Sequence, residues 1–211
     1  LPNYLTIKEP FAFEQEIKKS KFIAHLAPTN SEQEAKEFIE KIKLQEKNAT
    51  HNCSAYVVLE NIEIERMSDD GEPSGTAGAP ILNVIQQNNL KNISVVVTRY
   101  FGGIKLGAGG LIRAYSSSTS KAIDEIPIFE NRIQQGFNLN IPYSLFDKFE
   151  NFSKKENINL LNKAFSENVN LDIFLDLENC DEIIANINNE FQGKIDIIKT
   201  NTEELLVPIK K

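Results

Sequence analysis

Eight of the ten glycines in this 211-residue chain fall in two short stretches, SDDGEPSGTAGAP (68–80) and RYFGGIKLGAGG (99–110). Between them runs ISVVVT (93–98), β-branched at all but one position, the composition of a buried strand. Glycine reaches positive φ and lets another chain or a ligand approach the main chain closely. The two stretches therefore read as loops flanking a central strand, each opening a helix. Pro80 suits the first turn of a helix ending near Asn89, and the second loop leads into a helix from about Leu111 to Ile123.

The remaining elements follow from periodicity. Phe11 to Pro28 reads as two short strands around KKSK. Ser31 with Glu34 forms a capping-box pattern for a helix running to about Lys47, with Ala35, Phe38, Ile39 and Ile42 on one face. Cys53–Leu59 and Ile62–Met67 read as a hairpin around Glu60-Asn61. Beyond Gly136, FNLNIPY alternates as a strand, and Ser144 is the expected cap of a helix through Glu156. LLNKAF and VNLDIFLDL follow as a strand pair, Asp181–Phe191 as an amphipathic helix, and KIDIIKTNTEELLVPI as one long strand or a final pair. Strand-helix-strand-strand-helix-strand is the order of a ferredoxin-like split βαβ unit. Pro127 and Gly136 flank a polar stretch, so the expected domains are 1–130 and 136–211.

Composition narrows the function classes. The chain is 41% hydrophobic and 25% charged, ordinary for a soluble globular protein. No apolar run approaches the roughly 20 residues that span a bilayer, and LPNYLTIKEPF lacks the basic-then-apolar form of a secretory signal. Cys53 and Cys180 give neither a disulfide framework nor zinc spacing. A reduced, cytoplasmic protein is expected. A net charge of −7 argues against a protein that coats nucleic acid through overall charge. The second part, from Gly136, has 8 basic and 13 acidic residues, whereas the first has 15 and 17. Within the first part, residues 91–121 carry Lys91, Arg99, Lys105, Arg113 and Lys121 with no Asp or Glu, which predicts a local basic surface.

The loops admit two readings at this point. Gly107-Ala108-Gly109-Gly110 ahead of a helix can present free amides to an anion, with Arg113 adding charge at the same end. Alternatively, small residues let the helix pack tightly on the sheet, with Ala114, Ser118 and Ala122 facing inward. In RYFGG, Arg99 suits a phosphate and Tyr100 or Phe101 a base. Neighbours on an extended segment face opposite ways, so one aromatic is expected inside. Asp69, Asp70 and Glu72 carry oxygens fit for a divalent cation, yet no EF-hand spacing is present. Asp70-Gly71 is also a good turn, and Asp69 or Asp70 could instead pair with Arg99 or Arg113. No metal and no cofactor is assigned. His51 and Cys53 share a strand face, the minimum for a thiol with an activating imidazole, although a strand cysteine is most often a small buried hydrophobe. His25 stands alone. GxxxxGK[ST], a complete GxGxxG, HExxH, GxSxG and CxxC are all absent from the sequence.

SDDGEPSGTAGAPI followed by VVVTRYFGGIKLGAGGLIRAYS, with HNCSAY upstream, closely resembles the signature of the YigZ/IMPACT family in its bacterial two-domain form. The first of these segments supplies a family-motif loop of Asp69, Asp70, Gly71, Glu72, Pro73, Gly75, Thr76, Gly78 and Pro80. The resemblance implies an α+β protein. Its two-layer N-terminal domain is similar to a ribosomal-protein-type β3-α-β-α fold, and a ferredoxin-like domain follows. The pair is similar to domains four and five of elongation factor G. Eukaryotic members act in translational control by competing for an activator of a stress kinase, and they carry an added RWD domain for which these 211 residues leave no room. Beside this resemblance, the acid-free basic segment and the glycine loop at a helix start lead to the expectation of a non-enzymatic protein bound to RNA or the ribosome, and a regulator of translation. Its contacts would come from Lys91, Arg99, Tyr100, Phe101, Gly102, Gly103, Lys105, Gly107, Gly109, Gly110, Arg113 and Lys121. Two alternatives stand beside it: a small hydrolase or peptidase-like enzyme using His51/Cys53 or Asp69/Asp70/Glu72, and a protein–protein regulator without nucleic acid. No membrane partner is expected.

Overall fold

The structure, a computed structural model, describes residues 3–209. Its elements are β1 (Tyr4–Thr6), β2 (Phe11–Ile17), β3 (Ser20–Pro28), α1 (Glu32–Gln45), β4 (His51–Leu59), β5 (Glu63–Ser68), α2 (Gly78–Gln87), β6 (Ile93–Tyr100) and α3 (Ala108–Glu125). They continue with β7 (Phe129–Ile141), α4 (Tyr143–Lys155), β8 (Leu161–Phe165), β9 (Val169–Asp176), α5 (Cys180–Glu190) and β10 (Asp196–Pro208). The described chain divides into two compact units, Tyr4–Glu130 joined by residues 207–209, and Asn131–Leu206.

In the first unit β6 is the middle strand of an antiparallel sheet ordered β2-β3-β6-β4-β5. Its β-branched run is buried on both sides because alternate residues serve two cores. Ile93, Val95 and Val97 join Phe22, Leu26, Cys53, Val57, Ile81, Ile85, Ala114 and Tyr115 under α2 and α3. Val96 packs with Ala35, Ile39, Ile42, Tyr56 and Val58 under α1 on the opposite face. Helix α1 therefore adds a third layer, over part of the sheet, to the two expected. Ser31 caps α1, its hydroxyl accepting from the Glu34 amide at 3.1 Å, while the Glu34 carboxylate reaches the Asn30 amide rather than that of Ser31.

Glycine-loop geometry moves one helix start. Gly107, at φ 72°, is the N-cap of α3, so Gly109 and Gly110 form the helix's first turn instead of preceding it. Ala114, Ser118 and Ala122 are buried on its inner side.

The other sheet is five-stranded: β7 pairs with β1, β9 and β10, and β9 pairs with β8; within it β10-β7-β9-β8 is the 4-1-3-2 arrangement of a ferredoxin-like sheet. Phe137, Leu139, Ile141, Val169, Leu171, Ile173 and Leu175 pack with Phe149 and Ile187 from the two helices and with Phe191 at the end of α5. Alternate residues on the other side form an amide ladder, in which Asn138 donates to Asn170 and Asp172 at 2.8 Å each. Two sequence expectations change here. Ser144 lies inside α4, whose N-cap is Pro142 with no side-chain cap, because the chain turns directly out of β7 at the proline. Gly136 marks no connection: it lies within β7, where a Cβ would overlap the Thr200 hydroxyl of β10. The last residues return to the first unit, Ile209 donating to the Ile128 carbonyl at 3.1 Å and packing against that unit's core.

Candidate functional site

Both glycine loops lie at the same end of the first unit's sheet, beyond the C-terminus of β6 and that of β5, and a buried polar network ties one to the other. Asp69 organises the first loop. Its carboxylate accepts from the amides of Gly75, Ala77 and Gly78 at 2.8–3.0 Å, which caps α2 from eight and nine residues upstream. Burial alone would raise the Asp69 carboxyl, and the three amide donors outweigh it, holding its pKa below the usual value. Asp70 sits at φ 44° and Gly71 at φ 87°. Asp70 accepts from the Asn52 amide at 2.7 Å, with the Lys43 ammonium 3.4 Å away. The Pro73 carbonyl accepts from both the amide and hydroxyl of Thr76. Gly75 takes φ 78°, and Pro80 is buried in the first turn of α2.

These turns carry Glu72 inward, only 8% exposed. One carboxylate oxygen accepts from Arg99 Nη1 at 2.7 Å and from the Tyr115 hydroxyl at 2.8 Å. The other lies 3.8 Å from His51 Nε2. Arg99 is itself 6% exposed, with its guanidinium over the rings of Phe22 and Phe101. The acidic and basic loops are thus joined through Glu72, and Arg99 is withdrawn from the surface. This corrects its expected role as a phosphate contact: a buried guanidinium needs a carboxylate partner, and Glu72 supplies one.

The same network decides the thiol. Cys53 is fully buried, with Sγ 3.0 Å from the Asp69 carbonyl and 3.4 Å from the Tyr115 hydroxyl. Burial pushes its pKa up to about 12, and burial likewise raises that of Tyr115. His51 Nδ1 donates to the Asp70 carbonyl at 2.8 Å and its Nε2 faces Glu72 at 3.8 Å, so the imidazole and the thiol are each engaged with other partners and not with one another. Asp69, Asp70 and Glu72 face three different partners and do not converge. Among the described residues no group of three or more His, Cys, Asp or Glu is placed to hold a metal ion. Cys180 is also buried, in the second unit.

The second loop is more open. Phe101, Gly103, Ile104, Lys105, Gly107, Gly109, Ile112 and Arg113 are exposed, and Gly102 and Gly110 are half-buried. Gly102 is fixed by a close approach: its amide donates to the Ser20 hydroxyl at 3.1 Å, and a Cβ there would overlap the Lys19 carbonyl. Lys105 and Arg113 have no ion pair or side-chain hydrogen bond among the described residues. Neither RYFGG aromatic enters the core. Tyr100 is half-buried and donates to Glu46 at 2.6 Å, under the Lys21 ammonium, while Phe101 is 46% exposed.

Two expected contacts lie elsewhere. Lys91 precedes β6 and pairs with Glu63 at 2.5 Å. The length of β6 separates it from the loop by about 25 Å, at roughly 3.3 Å per residue. Lys121 donates to Gln15 and stands eight residues beyond Arg113, about 12 Å along the helix. Sequence spacing alone grouped them, and neither fold nor charge does. Two cations that the sequence reading left out, Lys18 and Lys19, sit beside Gly102 on the turn between β2 and β3.

The Impact N-terminal domain model matches residues 18–123, and the model of a domain of unknown function, DUF1949, matches residues 139–194. The chain is 45% identical to the IMPACT family member YvyE of Bacillus subtilis, over 93% of this chain and 91% of that one. It is 34% identical to an IMPACT family member of Haemophilus influenzae, over 92% and 96%. A crystal structure titled as that of a hypothetical protein superposes with a TM-score of 0.60 at 29% identity, covering 95% of this chain and 98% of the other. No helix among the described residues is long and apolar enough to cross a membrane.

Proposed function

Because this chain belongs to the IMPACT family, we propose that it is a non-enzymatic binding protein of the translation machinery that engages single-stranded RNA through the loop between β6 and α3. The carrying observation is the division of labour among the cations. Arg99 is neutralised inside by Glu72, whereas Lys105 and Arg113 remain exposed and, among the described residues, without an ion pair on either side of the Gly107 helix start. The first amides of α3 carry no cap from the Gly107 side, so phosphate oxygens would find both amide donors and positive charge there. Phe101 offers a ring face for a base.

Titration of a labelled single-stranded RNA at several salt concentrations tests this reading. Each phosphate contact contributes about −0.7 to the log–log salt slope on single strands, so Lys105→Ala/Arg113→Ala should flatten it by about 1.4. Absence of binding by the wild type, or an unchanged slope in the double variant, would refute it. A second reading, a protein partner, is favoured by one observation: Phe101, Ile104 and Ile112 are large apolar residues exposed by 42–46% around the same loop. Recovery of ribosomal or elongation components from lysate after RNase treatment, lost in Phe101→Ala/Ile112→Ala, distinguishes it.

A further inference from the structure

The β2–β3 hairpin closes with a two-residue turn, Ile17 pairing with Ser20, so Lys18 and Lys19 are its central residues. Both have positive φ, 47° and 65°. A two-residue turn of this kind is filled best by Asn-Gly, because a side chain with a Cβ and no local hydrogen bond is disfavoured there. Two lysines are a poor solution for the turn itself. Where local chemistry and local geometry disagree, another demand on the residue accounts for the choice.

The position of the turn identifies that demand. Lys21 pairs with Tyr100 across β3 and β6, which sets the hairpin tip beside Phe101, and the Lys19 carbonyl touches the Gly102 backbone. The tip is thereby fixed to the glycine loop at its main chain. Lys18 and Lys19 are exposed, with no ion pair among the described residues. The nearest acidic side chains on the hairpin are Glu14, already engaged by Lys21, and Glu16, on β2 opposite Lys21. Lys105 follows Gly102 by three residues, a reach of at most about 11 Å, and the Arg113 side chain lies back along the first turn of α3 toward Gly109.

We infer that the Lys18-Lys19 turn is a second phosphate-binding element, which extends the Lys105/Arg113 site into a track for the backbone of a single RNA strand. This rests on the function proposed above and adds two contacts to it. Four cations spread over two adjacent loops suit a chain of successive phosphates better than one compact anion, since each ammonium or guanidinium can neutralise a separate charge.

The test exploits the misfit. Lys18→Asn/Lys19→Gly should fold more stably than wild type, with a Tm higher by about 2 °C. It should also bind the labelled single-stranded RNA about 25-fold more weakly at 0.1 M salt, with a salt slope flatter by about 1.4, two contacts at about 0.7 each. Lys18→Gln/Lys19→Gln, which keeps the strained turn and removes the charge, should lose the same affinity without gaining stability. Lys18→Arg/Lys19→Arg should retain it. If the wild type binds and the Asn-Gly variant keeps its affinity and slope, the inference is overturned while the proposed function stands. If the wild type fails to bind at low salt, both fall together.

Discussion

At the scale of single residues, Glu72 is the one whose removal should be felt most. It neutralises Arg99 and accepts from Tyr115 where all three are buried. Glu72→Ala leaves an uncompensated guanidinium in the interior, which costs about 3–5 kcal/mol, readable by urea unfolding. Because the loss comes mostly from the orphaned charge, Glu72→Leu with Arg99→Met should recover a large part of it. A different residue sets the acid side of the stability profile. His25 has its pKa depressed by burial, against the pull of the Glu46 carboxylate 3.6 Å away. The folded state resists protonation while the unfolded chain takes it up near 6.5. Stability contributed by the neutral ring is therefore complete above that pH and falls as pH drops through the window below it. His25→Gln should flatten that part of the Tm profile. Residues were legible from sequence where chemistry and position coincide: Ser31 announced a cap and became one. The Arg99–Glu72 pair was not legible. It spans 27 positions, and the sequence offered Asp69 or Asp70, not Glu72, as the acid that would pair with Arg99. Only the turns at Asp70 and Gly71 decide which of the three faces inward.

Among the elements, α2 shows how a helix start can be held from a distance. Its own N-cap, Ala77, has no side-chain bond to offer, and Asp69 does the capping from the end of the preceding loop. Asp69→Ala should destabilise the first unit by about 1–2 kcal/mol. Asp69→Asn should recover part of this, since an amide oxygen still accepts. The depressed Asp69 pKa means that the wild type keeps the contribution above about pH 4 and loses it as the carboxylate protonates further down. The Asp69→Ala difference measured at neutral pH should therefore shrink toward pH 2–3. Periodic elements such as β6, α1 and α5 were readable because burial imposes a repeat on them. Helix starts without a side-chain cap, at α2, α3, α4 and α5, were readable only to within a few residues, since their termini are fixed by loop geometry and by groups distant in sequence.

At the scale of the whole molecule, the C-terminal strand serves both units. Most of β10 belongs to the second, yet residues 207–209 join the first, where Ile209 is half-buried against the core and donates to Ile128. A chain ending at Leu206 should lower the melting transition of the first unit by about 3–5 °C and leave that of the second nearly unchanged, which differential scanning calorimetry can read. Sequence order revealed two domains but not this return, because a terminal strand carries no mark of which sheet its last residues complete. Gly136 misled for a related reason: an isolated glycine signals a break or a close approach equally well, and here Thr200 makes it the second.

Each unit holds a single buried cysteine, Cys53 in one and Cys180 in the other. A sulfur enclosed in this way reacts with an alkylating reagent only when its surroundings open. Timed exposure to such a reagent, followed by mass spectrometry of the two peptides, would time the opening of each half of the molecule separately. No label or engineered site would be needed.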